Sequence, residues 1–241
     1  MDKREVARQR RKKQQQKQSG NNLVPIIAIA VVVIVVVAIV IFTQNSPAAN
    51  NPPAVAGDII IPDRTTTAQK DGLTLGSPDA KVKVIEFADF QCPACASYWS
   101  QLEPTIIQKY VETGKVEYTY NPFSFLGQGQ AWDESKKAAE AAYCANDQQK
   151  FWEFHDIVFA NHNGENQGAY SKDRLVAFAE AIGLDMTAFN QCFNSGTYAR
   201  TVDESSIFAS TSGATYTPSF LIDGKIVNAN DLQTAIDKIG R

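Results

Sequence analysis

The chain has 241 residues, 44% of them hydrophobic and 20% charged, a balance that suits one ordinary globular domain with extra segments attached. Its formal net charge of −3 conceals a division: residues 1–20 hold 8 of the 23 basic residues against Asp2 and Glu5, leaving 15 basic and 24 acidic residues elsewhere. The basic N-terminus could suggest nucleic acid as a partner, but its place in the chain gives it a simpler cause.

That cause follows directly along the chain. Leu23 to Phe42 is a 20-residue run with no charged or strongly polar side chain, and a helix of that length spans about 30 Å, the hydrocarbon thickness of a bilayer. Because basic flanks stay on the cytoplasmic side, the sequence predicts a cytoplasmic tail over 1–22, one transmembrane helix over 23–42 and an extracytoplasmic remainder. A cleaved signal peptide is the rival reading, with Ala54-Val55-Ala56 as a loose cleavage site, but the apolar run exceeds the usual length of about 7–15 residues. Residues 43–70 carry Pro47, Pro52, Pro53 and Pro62 among Asn, Ala, Thr and Gln, which is linker composition. Within it, Ile59-Ile60-Ile61 either adds an edge strand or packs on the domain surface.

The domain is expected over 71–241. Val82 to Phe90 reads as a strand, and Cys92-Pro93-Ala94-Cys95 follows it at once, opening a helix to about Tyr110 with a kink at Pro104. Val116 to Tyr120 is the next strand. Helices then fill about 131–213: Asp133 caps one to about Ala145, Asp147 one over Phe151–Ala160, Ser171 one ending at Gly183, Asp185 starts another, and Thr197–Ser212 is the last. Strands at Ser219–Ile222 and Lys225–Val227, joined through Asp223-Gly224, and a helix over Asp231–Ile239 close the chain.

A Cys-x-x-Cys at a strand-to-helix junction sets its first sulfur against unpaired backbone N–H groups and the positive end of the helix dipole, conditions that favour a reactive thiolate. Structural zinc would need four ligands, yet there is no second Cys-x-x-Cys, and His155 and His162 are not spaced against a cysteine in any zinc pattern. Redox chemistry without metal or other cofactor is therefore expected, and the two histidines read as surface or satisfied core residues.

Three stretches carry a family resemblance: Glu86 through Cys95, then Phe151-Trp152-Glu153-Phe154-His155-Asp156, then Thr215-Tyr216-Thr217-Pro218-Ser219-Phe220. With a helical block between two halves of an α/β unit, the chain resembles the DsbA-like disulfide oxidoreductases of the thioredoxin superfamily from about Leu73 to its end. The resemblance implies a thioredoxin fold with an inserted helical block, here preceded by one transmembrane helix. It implies Cys92 as the attacked sulfur and Cys95 as its inner partner. Glu86 stands at the place of the buried acid, although its alternation with Ile85 and Phe87 does not settle which side faces the core. Pro218 stands at the place of the cis-proline that, with Thr217, exposes backbone to an extended substrate. Some such proteins carry a second disulfide, which here would join Cys144 and Cys192; the alternative is two buried free thiols. Pro93 and Ala94 are the redox dipeptide, and Ala94 departs from the His of the best-known motif, so a milder oxidant is expected. The implied activity is the introduction of disulfides into exported proteins, with reoxidation by a quinone-linked membrane partner, DsbB-like or vitamin K epoxide reductase-like. An isomerase or reductase, favoured by Thr217, is the nearest alternative, and a redox-inactive peptide-binding module is the alternative from another class.

Overall fold

The computed structural model describes residues 59–240, so the expected basic tail, the transmembrane span and most of the linker lie outside the described residues. Among the described residues no helix is long and apolar enough to cross a membrane. A six-stranded sheet is built from β1 (Lys70–Asp71), β2 (Thr74–Leu75), β3 (Val82–Ala88), β4 (Val116–Pro122), β5 (Ser219–Ile222) and β6 (Lys225–Asn228), in the order β1-β2-β4-β3-β5-β6. Only β3 and β4 are parallel, and the helical crossover between them carries the cysteine pair. Such a crossover puts the first residues after β3 at the carboxyl end of a central strand, where α/β sheets place their chemistry.

The helices are α1 (Pro93–Gln101), α2 (Glu103–Ile106), α3 (Glu134–Asn146), α4 (Phe151–Ala160), α5 (Lys172–Ala181), α6 (Met186–Ser195), α7 (Ala199–Thr211) and α8 (Leu232–Ile239). One face of the sheet, with Val82, Val84, Glu86, Ala88, Tyr118, Tyr120 and Phe220, is buried in the main core. The other face presents Phe87 and half-buried Ile85 to Ala209 of α7. Tyr118 and Tyr120 are fully buried on β4, whose burial alternates residue by residue, as period-2 packing requires.

Several expectations need correction. The helix expected from Cys92 to Tyr110 is broken in three: α1 ends at Gln101, α2 follows, and Ile107–Val111 forms a π turn. Pro104, which has no N–H to give, sits at this break. Asp147 does not cap α4; it closes α3 in helical conformation, and Lys150 stands at the α4 N-terminus without a side-chain cap. Asp133 and Asp185 do cap their helices, accepting from Lys136 N–H and from Thr187 and Ala188 N–H. The linker also ends before Lys70. Ile59 and Ala68 pack on the core, and the Asn161 side chain accepts from Ile60 N–H at 2.9 Å and donates to its carbonyl at 2.7 Å, a substitute for a neighbouring strand. The hairpin of β1 and β2 was not anticipated, because two-residue strands show no periodicity.

Candidate active site

After β3 the chain makes a tight turn, closed by Cys92 N–H donating to the Asp89 carbonyl at 3.0 Å, and enters α1. Cys92 takes the N-cap position in extended conformation, and Pro93 follows at the first helical position, where its fixed φ suits the helix and its missing N–H costs nothing. The first turn holds no acidic side chain, so the positive end of the helix is left to the sulfur. Ala94 is exposed, Cys92 is 7% exposed and Cys95 is fully buried; both cysteines are free thiols.

The Thr217–Pro218 peptide is cis, and Cys92 Sγ lies 3.4 Å from the Thr217 carbonyl, to which it donates while protonated, across 125 residues of sequence. Thus the structure brings Cys92, Cys95, Thr217 and Pro218 to one place. Tyr216, beside them, is 43% exposed. Glu86 lies on the core face of β3 at 1% exposure, accepting a 2.5 Å hydrogen bond from Tyr118, whose hydroxyl is 3.1 Å from that of Tyr98.

These surroundings drive the two thiols apart. Hydrogen bonding with Cys95 is the largest influence on Cys92, and with the Thr217 side chain and the N–H groups of Cys95 and Ala94 it outweighs burial, lowering the thiol to about 6. Burial, then the hydrogen bond and the charge of Cys92, push Cys95 well above the ordinary thiol range. Burial likewise lifts Glu86 to about 8; the Tyr118 hydrogen bond and the more distant Arg64 hold it back, while the Cys92 charge adds to the rise. At neutral pH the outer sulfur is therefore a thiolate, while the inner sulfur and Glu86 both hold protons.

Two further groups escaped the sequence reading. Asp89 is fully buried, and its carboxylate accepts from Gln91 N–H at 2.9 Å, Ser135 Oγ at 2.7 Å, Phe125 N–H at 2.9 Å and Leu126 N–H at 3.1 Å. It ties the turn before Cys92 to the start of the helical block. Its signal was local: an Asp two residues ahead of a turn N–H is an Asx motif. Arg64 is the second; its position in linker-like sequence gave no signal at all. His162 donates from Nε2 to the Gln91 carbonyl, 2.8 Å away, next to Cys92. His155 is buried among aromatic rings with Nδ1 3.0 Å from Asp156 Oδ1. Glu103, His155 and Asp156 bring donor atoms within 4.8 Å of one another, but the Arg64 guanidinium occupies this acidic place. Away from the thiols, Cys144 of α3 and Cys192 of α6 are joined in a disulfide.

A family profile described as Thioredoxin matches residues 68–239. The protein named "Probable disulfide bond formation protein D" of Bacillus cereus is 30% identical over 169 residues, covering 68% of this chain and 77% of that one. Oxidised BdbD of Bacillus subtilis has a similar fold, with a TM-score of 0.63 and 22% identity over 74% of this chain and 99% of its own. Oxidised Mtb DsbA is 26% identical with a TM-score of 0.56, covering 70% of this chain and 93% of its own. With a redox-type cysteine pair at the head of α1 and a family match over most of its length, the chain belongs to the DsbA-like thioredoxin family and is a thiol-disulfide oxidoreductase.

Proposed function

We propose that this oxidoreductase is a membrane-anchored oxidant, held by residues 23–42 with its catalytic domain outside the cytoplasm, that introduces disulfides into exported proteins through Cys92 and Cys95. The observation that carries the reading is the placement of Cys92 at the helix N-cap beside the cis Thr217–Pro218 peptide, with Cys95 fully buried behind it, a setting that stabilises a Cys92 thiolate and makes it a good leaving group.

The reaction runs from the oxidised pair. A substrate thiolate attacks Cys92 Sγ, the Cys92–Cys95 bond breaks, and Cys95 leaves with the electron pair, taking the proton that buried Glu86 holds. A mixed disulfide now joins substrate and Cys92. The substrate's second thiolate attacks its own sulfur in that bond and expels Cys92 as the thiolate. Two substrate thiols are oxidised and the enzyme pair is reduced, the state of the cysteines described above. An extended substrate would pair with the backbone exposed at Thr217, strand to strand. Return to the disulfide requires an electron acceptor, which we assign to a quinone-linked membrane oxidase of the DsbB or vitamin K epoxide reductase type.

Cys95→Ser should trap substrates as mixed disulfides on Cys92, while Cys92→Ser should form none and abolish dithiol oxidation. Non-reducing gels of both variants, made as full chains in an exporting cell, read the outcome. Adducts on Cys92→Ser and none on Cys95→Ser would reverse the roles. Adducts with cytoplasmic proteins alone would contradict the extracytoplasmic placement.

A further inference from the structure

Arg64 leads into the domain from the linker side, six residues before β1. Its side chain enters a cavity of about 540 Å³ bounded by α1, α2 and α4 and lined by Trp99, Glu103, Trp152 and Asp156 among others. There it donates to Glu103 Oε2 at 2.8 Å, to Asp156 Oδ1 at 3.4 Å and to the Trp99 carbonyl at 3.3 Å, with the guanidinium 4.8 Å from the Trp99 ring centroid. Glu103 is 2% exposed, and its second oxygen has no hydrogen-bond partner; it faces His155 Nε2, also without one, at 3.9 Å. Two carboxylates of low exposure thus share one guanidinium and one imidazole.

The turn of α1 that Arg64 grips is the turn that carries Tyr98, whose carbonyl accepts from Leu102 N–H and whose hydroxyl meets Tyr118 behind Glu86. We propose that Arg64 is a positioning residue for disulfide exchange: from the segment entering the domain it supplies the half-buried cation that clamps the far end of the active-site helix, at the turn whose Tyr98 hydroxyl reaches Glu86 through Tyr118. This rests on the reading of Cys92, Cys95 and Glu86 given above. The groups whose charge acts on Glu103 or is acted on by it are Arg64 from the entering segment, His155 and Asp156 from α4, Tyr98 from α1 and Glu86 from β3, with Asp63, Lys70, Glu112 and Glu153 also lining the cavity. Without its cation, a buried carboxylate takes up a proton or destabilises the fold. Burial is the largest influence on both acids, lifting Glu103 to about 7 and Glu86 to about 8, and the Arg64 charge opposes it at each.

Charge therefore predicts opposite effects from two neutral substitutions. Reoxidation needs ionised Glu86 to take the proton of Cys95, so the rate of oxidation of the reduced full chain by glutathione disulfide should rise with pH along a limb set by Glu86. Arg64→Gln removes the cation, and the limb should move up by about half a pH unit, a roughly threefold loss of rate below it. Arg64→Lys should restore it. Glu103→Gln leaves the Arg64 charge less compensated, and the limb should move down. A merely structural role would leave both limbs in place or move them the same way, and either result overturns the inference. If Arg64→Gln does not fold, Glu103→Gln decides alone: a limb that stays or moves up overturns it. No exchange by the wild-type chain would overturn the underlying reading and this inference with it, whereas unmoved limbs in an active protein overturn this inference only.

Discussion

Cys92 and Cys95 are three residues apart, within one turn of α1, yet one thiol is lowered to about 6 and the other is raised well above its ordinary value. The difference lies in what each sulfur meets: hydrogen-bond donors at the helix start for Cys92, the apolar core and the Cys92 thiolate for Cys95. Glu86 completes the set as a proton store. Its carboxyl stands near 8 folded against an ordinary value of 4.5, so between these values the folded state holds a proton that the unfolded state has released. Stability therefore falls as pH rises through that window. Glu86→Gln should stabilise the reduced chain by a few kcal/mol above pH 8 and by little at about pH 4, while slowing reoxidation. Urea unfolding at both pH values tests this, and equal effects at both would sink the assignment. Ala94 is exposed in the first turn, so Ala94→His has room for an imidazole beside the thiolate. It should lower the Cys92 thiol further and raise the reduction potential, about 30 mV for each 1.4 kcal/mol of added thiolate stabilisation. Thiolate absorbance titration and glutathione equilibration read the two effects independently; no change in either would remove Ala94 as a determinant of redox poise. The placing of the cysteines at the head of α1, of Glu86 on the strand before them and of the cis bond at Pro218 was legible because each occupies a recognisable place in a motif. The side of β3 that Glu86 faces was not, since both faces of a central strand are covered and its alternation carries little information.

Among the elements, α3 and α6 were legible through their Asp caps, whereas α4 begins at Lys150 without one and its start was misread from Asp147. The break between α1 and α2 was announced by Pro104, but the π turn after it left no mark in the sequence. The α3–α6 disulfide joins residues 48 apart, far from the redox pair in the chain. Constraining the unfolded chain over such a loop contributes about 4 kcal/mol at most in the chain-entropy account. Cys144→Ala/Cys192→Ala should therefore lower stability by a few kcal/mol and leave disulfide exchange nearly unchanged. Denaturant unfolding and turnover measured side by side check this: exchange lost while the fold persists would give this bond a part in the chemistry.

At the scale of the molecule, the order strand, helix, strand, helical block, two strands, helix was readable from β3 onward through periodicity and turn residues alone, and it is the order that sets β3 at the centre of the sheet. The docking of residues 59–69 was not readable, because it rests on Arg64 meeting acids distant in sequence and on an Asn161 amide imitating a strand. A fragment beginning at Leu73 would lose that cation, so measurements of redox poise belong on the full chain. The central claim is that the fold stabilises the Cys92 thiolate enough to make this protein an oxidant. Equilibrating the full chain with glutathione at pH 7 and quantifying reduced and oxidised forms measures it directly. The account predicts a reduction potential above the about −270 mV of thioredoxin and, with Ala94 in place of an imidazole, below the about −120 mV of DsbA. A potential at or below that of thioredoxin would contradict it and identify the protein as a reductant.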